Sequence, residues 1–114
     1  MRRISLVVFL LLVSSVIAHS ATVTLTWDYV QGLDPAVQFT MYRQDGCVGD
    51  FVGIGQVAYP TLTFVDTTVL VGNTYCWQVT ARDANGLEST PSNVVQFQVQ
   101  APAPPTNLRG VVGP

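Results

Sequence analysis

One run constrains this chain more than any other: Val69-Leu70-Val71-Gly72-Asn73-Thr74-Tyr75-Cys76-Trp77-Gln78-Val79-Thr80-Ala81. It opens on a Gly-Asn turn and continues in strict alternation. Tyr75, Trp77, Val79 and Ala81 fall on one side, and Cys76, Gln78 and Thr80 on the other. A period of two sends successive side chains to opposite faces of a pleated strand. The apolar face of this strand therefore has to be covered, and the rest of the chain must supply the cover.

The other segments repeat the pattern. Ala21 to Asp28 alternates Val23, Leu25 and Trp27 with threonines, which predicts a strand with one wet face. Gly32-Leu33-Asp34-Pro35 is a turn. Val37 to Arg43 alternates again, with Val37, Phe39 and Met41 inward, and Asp45-Gly46 ends it. Phe51 to Val57 is a weaker strand in which Gly53 and Gly55 loosen the pairing or mark bulges. Leu62 to Val65 is a short strand ending at Asp66-Thr67-Thr68. After the turn Asp83-Ala84-Asn85-Gly86, a last strand, Val94 to Val99, turns Val95, Phe97 and Val99 inward and its glutamines outward. No helical periodicity occurs between residues 21 and 100. Several short strands with turn signals between them predict an all-β sandwich.

The ends differ in character. Met1-Arg2-Arg3, the apolar run Ile4–Ile17 and the small residues after it form a secretory signal peptide over residues 1–20, with cleavage at Ala18 or Ser20. The run is short for a membrane anchor, which needs about 20 apolar residues, so no stable membrane insertion is expected after cleavage. The expected location is secreted, either extracellular or periplasmic. Residues 101–114 begin as a stiff Pro-rich linker, Ala101-Pro102-Ala103-Pro104-Pro105. Thr106 to Val112 then has the pattern of a further strand.

Charge excludes some partners. Arg2 and Arg3 lie in the leader, which leaves Arg43, Arg82 and Arg109 against seven acids, a net charge near −4 with no lysine. Nucleic acid binding needs cations to release counterions from phosphates, so no nucleic acid partner is expected. Two cysteines, Cys47 and Cys76, in an exported chain suggest a disulfide, with two free thiols as the alternative.

Five segments in order, Val23–Trp27, Phe39–Arg43, Phe64–Val69, Tyr75–Ala81 and Pro91–Asn93, together resemble a fibronectin type III domain over residues 21–100. The stretch Asp83-Ala84-Asn85-Gly86-Leu87-Glu88-Ser89 with Pro91-Ser92-Asn93 is similar to the last hairpin of bacterial and phage members. The resemblance implies an immunoglobulin-like β-sandwich. The first strand is short or missing, because only a stub precedes Thr22. It also implies a tyrosine corner at Tyr75, whose hydroxyl bonds backbone near Val69, and a core position for Trp27.

An immunoglobulin domain is the natural competitor. There the corner Tyr stands two residues before the core Cys. Here Tyr75 and Cys76 are adjacent, so Cys76 faces outward. Cys47 lies just past the strand that resembles the neighbour of this one. The expected bridge is then a same-sheet disulfide holding the loop Gln44–Asp50 over the outer face.

Catalysis lacks its parts. The sole histidine, His19, sits at the cleavage site, and the carboxylate pairs Asp45/Asp50 and Asp83/Glu88 lie in turns where Asp bonds its own backbone. Asp83, Asn85 and Glu88 offer oxygens to a cation, but without the spacing of a known calcium loop. No metal or other cofactor is expected. Tyr42 is the best outward aromatic for a ligand face, with Tyr29 or Tyr59 beside it. The sequence points to a non-enzymatic exported module for protein interaction, adhesion or spacing. The alternative is a weak carbohydrate-binding accessory module of a surface-polysaccharide enzyme or phage structural protein. The partner is thus a protein or a surface glycan. Residues 101–114 also offer self-association by adding a strand to an open sheet edge, in the same molecule or in a neighbour. The plainer alternative for this tail is a linker.

Overall fold

The computed structural model describes residues 18–114, so the expected signal peptide lies outside the described residues except for its last three positions. The described chain is all β: β1 (Ser20–Thr26), β2 (Ala36–Asp45), β3 (Val52–Ala58), β4 (Thr63–Leu70), β5 (Thr74–Asp83) and β6 (Val95–Gln98). Two antiparallel sheets form an immunoglobulin- and fibronectin type III-like sandwich. One is four-stranded in the order β3-β2-β5-β6, and the other holds only β1 and β4.

The alternating run of β5 is the centre of this arrangement. Its inward residues Tyr75 and Trp77 join Leu25, Met41, Val69 and Val99 in the buried core. Strands β2 and β5 pair in register from Gln38↔Arg82 to Asp45↔Tyr75, so Phe39, Met41 and Arg43 share the inward face with Ala81, Val79 and Trp77.

The two covering strands do not span the four beneath them. Phe64 of β4 lies over β3, so close that a Cβ built on Gly55 would stand 2.5 Å from its ring. β4 thus covers the β2–β3 side and β1 lies toward β5 and β6. No described strand continues the sheet past β1. As a result Phe97, which pairs with Tyr75 and faces inward, is still 50% exposed.

Three expectations from the sequence are corrected. Val37 is 44% exposed, because the β2–β5 register shifts between Ala36 and Gln38 and Ala36 takes the buried place. β4 does not stop at Asp66-Thr67-Thr68 but runs to Leu70, with a register shift opposite Ala21–Val23 that accommodates the polar residues. Trp27 packs at the margin of the core, while Trp77 fills its centre at 1% exposure. Gly53 and Gly55 do flank a bulge: Met41 pairs with Gly55 and Tyr42 with Gly53, leaving Ile54 as the extra residue. Residues 101–114 form no strand and are exposed throughout.

Candidate functional site

Three groups of side chains stand out: a polar network between the sheets, an outer-face cluster, and an open groove beside β1.

The network centres on Asp66, which is 3% exposed. Arg43 lies inward because it follows Phe39 and Met41 at period two. Its Nη1 donates to Asp66 Oδ2 at 2.9 Å and to Thr68 Oγ1 at 2.7 Å, and its Nε donates to Asp45 Oδ1 at 2.8 Å. Trp77 Nε1 donates to Asp66 Oδ2 at 3.0 Å, and the Thr68 backbone N–H and hydroxyl donate to Oδ1. The guanidinium also stacks over the Tyr75 ring, 5.0 Å from its centroid. Burial by itself would raise the Asp66 pKa. The donors from Thr68, Trp77 and Arg43 outweigh it and hold the carboxyl below its ordinary value. Every acceptor is committed to a structural donor, so this cluster clamps the two sheets together. Sequence reasoning missed it because Asp66-Thr67-Thr68 has the composition of a turn. The signal that was available is the phase of Arg43.

Beside this network stands the corner. The Leu70 N–H donates to the Tyr75 hydroxyl at 2.9 Å, and Asn73 Nδ2 lies 3.3 Å from it. The Cys47–Cys76 disulfide joins the β2–β3 loop to β5 within one sheet, on the face opposite Tyr75 and Trp77. Cys76 is buried by the loop that it holds, outside the apolar core cluster. Gly46 and Cys47 both take positive φ, 68° and 56°, which turns the chain back over β5.

On the outer face, the Tyr42 hydroxyl donates to Glu88, 2.8 Å from Oε1, and Arg82 Nη2 donates to Oε2 at 2.8 Å. The hydrogen bond to Glu88 raises the Tyr42 pKa, while Arg82 and Tyr42 together lower that of Glu88. Asp83 Oδ1 accepts the N–H groups of Asn85 and Leu87 and so closes the β5 turn. The oxygens considered for a cation are therefore split between an ion pair and a turn. Tyr29 and Tyr59 do not join Tyr42. They gather at one end of the sandwich with Phe39 and Trp27, with ring centroids 5.1 Å apart for Tyr29–Phe39, 6.5 Å for Tyr29–Tyr59 and 5.4 Å for Trp27–Phe39.

The groove runs between the end of β1 and the segment leading into β6, with a volume of about 480 Å³. Its floor is made of core-facing side chains of the larger sheet, Phe39, Met41, Trp77 and Val79, and its β1 wall of Leu25 and Trp27. Trp27 Nε1 is buried there without a hydrogen-bond partner. The far wall is irregular. Ser92 and Ser89 accept the N–H groups of Val79 and Ala81 through their hydroxyls, with Pro91 between them. Among the described residues, no strand pairs with the backbone of β1 along this side. The Trp27 N–H donates to Leu62 O on the β4 side, so by alternation the N–H and C=O groups of Thr22, Thr24 and Thr26 point to the open edge.

No family model matches the chain. A stretch of 80 residues, 70% of the chain, is 37% identical to an amylopullulanase of Thermoanaerobacterium saccharolyticum, of which it spans 6%. Among solved structures, the twitchin kinase region of C. elegans superposes with a TM-score of 0.60 at 16% identity, over 70% of this chain and 14% of that one. A myokine structure superposes with a TM-score of 0.57 at 19% identity, over 75% of this chain and 94% of that one. At these identities the two structures establish the fold and no more.

Proposed function

We propose that this chain is an exported, non-catalytic interaction module whose working surface is the β1 edge and the groove beside it. The observation that carries the proposal is that apolar core side chains and an unpaired strand edge are open along the same side. An extended partner chain laid there gains backbone pairing and apolar contact together, which is the basis of recognition by strand addition. The acidic and basic side chains of the network and the outer-face cluster are engaged in structural contacts, which speaks for binding over catalysis. The disulfide suits an oxidising compartment, which supports an extracellular or periplasmic location.

The test is a selection of random displayed peptides against the chain truncated after Gln100, followed by amide mapping. Selected peptides should perturb Thr22, Thr24, Thr26 and the Trp27 indole. Binders that map only to other surfaces, or no binders at all, would remove the reading.

A second reading is an accessory module of a glycan-acting enzyme, favoured by the similarity to a stretch of amylopullulanase and by the aromatic end at Trp27, Tyr29 and Tyr59. Affinity electrophoresis in gels containing pullulan or starch tests it. Retardation that is lost in Tyr59→Ala supports this reading, and retardation lost in Tyr42→Ala moves the glycan face to the outer sheet. Mobility unchanged by either polysaccharide excludes it.

A further inference from the structure

We propose that the β1 edge takes residues 106–112 of a second copy of this chain, so that each copy donates a strand to the next. This rests on the edge-and-groove reading above and names its occupant.

Four open edges, those of β1, β3, β4 and β6, compete for an added strand, and the structure favours one; the β6 edge is only four residues long. The β4 edge lies toward β3, with Phe64 already over Gly55. The β3 edge carries two glycines and a bulge, which spoil a straight register. β1 is regular, and its register shift against β4 falls on the β4 side, where three steps from Val69 to Asp66 match two from Ala21 to Val23. Beside β1 the inward Phe97 lies uncovered, as Val52 does at the β3 edge, but only the β1 edge adds a buried donor, Trp27 Nε1, that wants an acceptor.

The tail has what that edge lacks. Leu108, Val111 and Val112 are 100%, 96% and 97% exposed, so they are not packed on the described residues of their own molecule. From Leu108 onward, alternation puts Leu108 and Val112 on one face with Gly110 between them. Such a strand presents two apolar side chains to the groove and turns Arg109 toward solvent.

Direction selects a neighbour over the same molecule. β6 ends at the turn that starts β5: the Val99 N–H donates to Asn73 O, and the Gly72 N–H donates to Val99 O. β1 begins at this same pole, where His19 O accepts the Val71 N–H. To run antiparallel to its own β1, the tail would first have to travel the length of that strand. Seven residues of β1 cover about 23 Å, whereas the five residues 101–105 in a stiff extended form reach only about 15 Å. A tail leaving one copy in the direction of β6 meets the far end of the next copy's β1 with no reversal. Every strand pair among the described residues is antiparallel. The contact is head-to-tail, so it closes into a ring or extends as a filament.

The experiment separates donor from acceptor. Thr24→Pro removes an edge N–H and leaves a chain that only donates. Leu108→Asp, in the exposed tail, leaves a chain that only accepts. The unaltered secreted chain should show concentration-dependent association by light scattering, and each variant alone should be monomeric. Their mixture should give a 1:1 dimer. If Thr24→Pro fails to fold by circular dichroism, a synthetic peptide of residues 101–114 replaces it as donor to the chain truncated after Gln100. The peptide should shift the Thr22, Thr24, Thr26 and Trp27 indole resonances and raise Tm, and a scrambled peptide should do neither. A monomeric unaltered chain, whether its tail is free or docked on its own edge, overturns the proposal. If displayed peptides bind the β1 edge but the tail peptide does not, the occupant is wrong and the edge reading stands. If neither binds, both fail.

Discussion

Asp66→Asn tests whether the network between the sheets is a clamp. The substitution keeps shape and one acceptor but removes the charge that faces Arg43. The two side chains are 2% and 14% exposed, so the pair is largely out of water. Removing one partner of such a pair typically costs about 3–5 kcal/mol, because the other charge is left uncompensated. Arg43 keeps its bond to Asp45, and Trp77 Nε1 keeps an oxygen acceptor, which brings the cost to the bottom of that range or just under it, about 2–3 kcal/mol. For a domain of this size that is a fall in Tm of about 10–20 °C. Arg43→Met should cost a similar amount. The double variant should cost less than the sum of the two, because no buried charge is left alone.

The same pair fixes a pH dependence. The Asp66 pKa is lowered in the native state, so its contribution is present above the unfolded value near 3.9 and is lost as pH falls through the native pKa. Stability of the unaltered chain should therefore decline below about pH 4, and Asp66→Asn should flatten part of that decline. Urea unfolding from pH 7 to pH 3 measures both effects. A loss below about 0.5 kcal/mol for Asp66→Asn, or strict additivity with Arg43→Met, would refute the clamp.

Tyr75→Phe leaves the Leu70 N–H without its acceptor and should cost about 1–3 kcal/mol in urea unfolding. Replacing Cys47 and Cys76 together with alanine opens a loop closed across 29 residues and should cost about 3–4 kcal/mol, with an equal loss when the unaltered chain is reduced. Gly55→Ala should lower Tm by several degrees, because its methyl meets the Phe64 ring, and Phe64→Leu should restore part of the loss. With residues 1–20 read as a signal peptide, mass spectrometry of the chain made in an exporting host should give His19 as the first residue. Cleavage after Ala18 keeps the His19 carbonyl that accepts the Val71 N–H and keeps Ser20 opposite Leu70.

Alternation made the strands legible wherever an apolar face is fully covered. β2 from Phe39 to Arg43, β5 and the centre of β1 follow it, and the adjacency of Tyr75 and Cys76 placed the sulfur outside the core. Legibility failed where a strand carries polar residues inward. β4 continues through Asp66-Thr67-Thr68 because Asp66 is satisfied by donors from β2 and β5, which lie far from it in sequence. Alternation also misplaced Val37, because a register shift turns its side of β2 outward, and no local residue pattern announces that shift. Composition singled out Tyr42 as a ligand aromatic. Its hydroxyl is engaged by Glu88, and that contact depends on β5 turning back at Asp83.

The location of the bonds explains why an incomplete sheet can still stand. A two-stranded cover buries less apolar surface than a full one, and hydrophobic stabilisation scales with buried area. This molecule concentrates its other bonds at one end, where the disulfide, the Tyr75 corner and the Asp66 network all join β5 to its neighbours. The groove lies toward the opposite end of β1, where Trp27 and Phe39 meet at the margin of the core. Amide exchange should divide along the same line. The β5 amides from Tyr75 to Trp77 should exchange only through global unfolding, while those of Thr22, Thr24 and Thr26 exchange quickly in the isolated chain. Equal protection at the two ends would mean that the edge is already paired, and would remove the reason to look for a partner there.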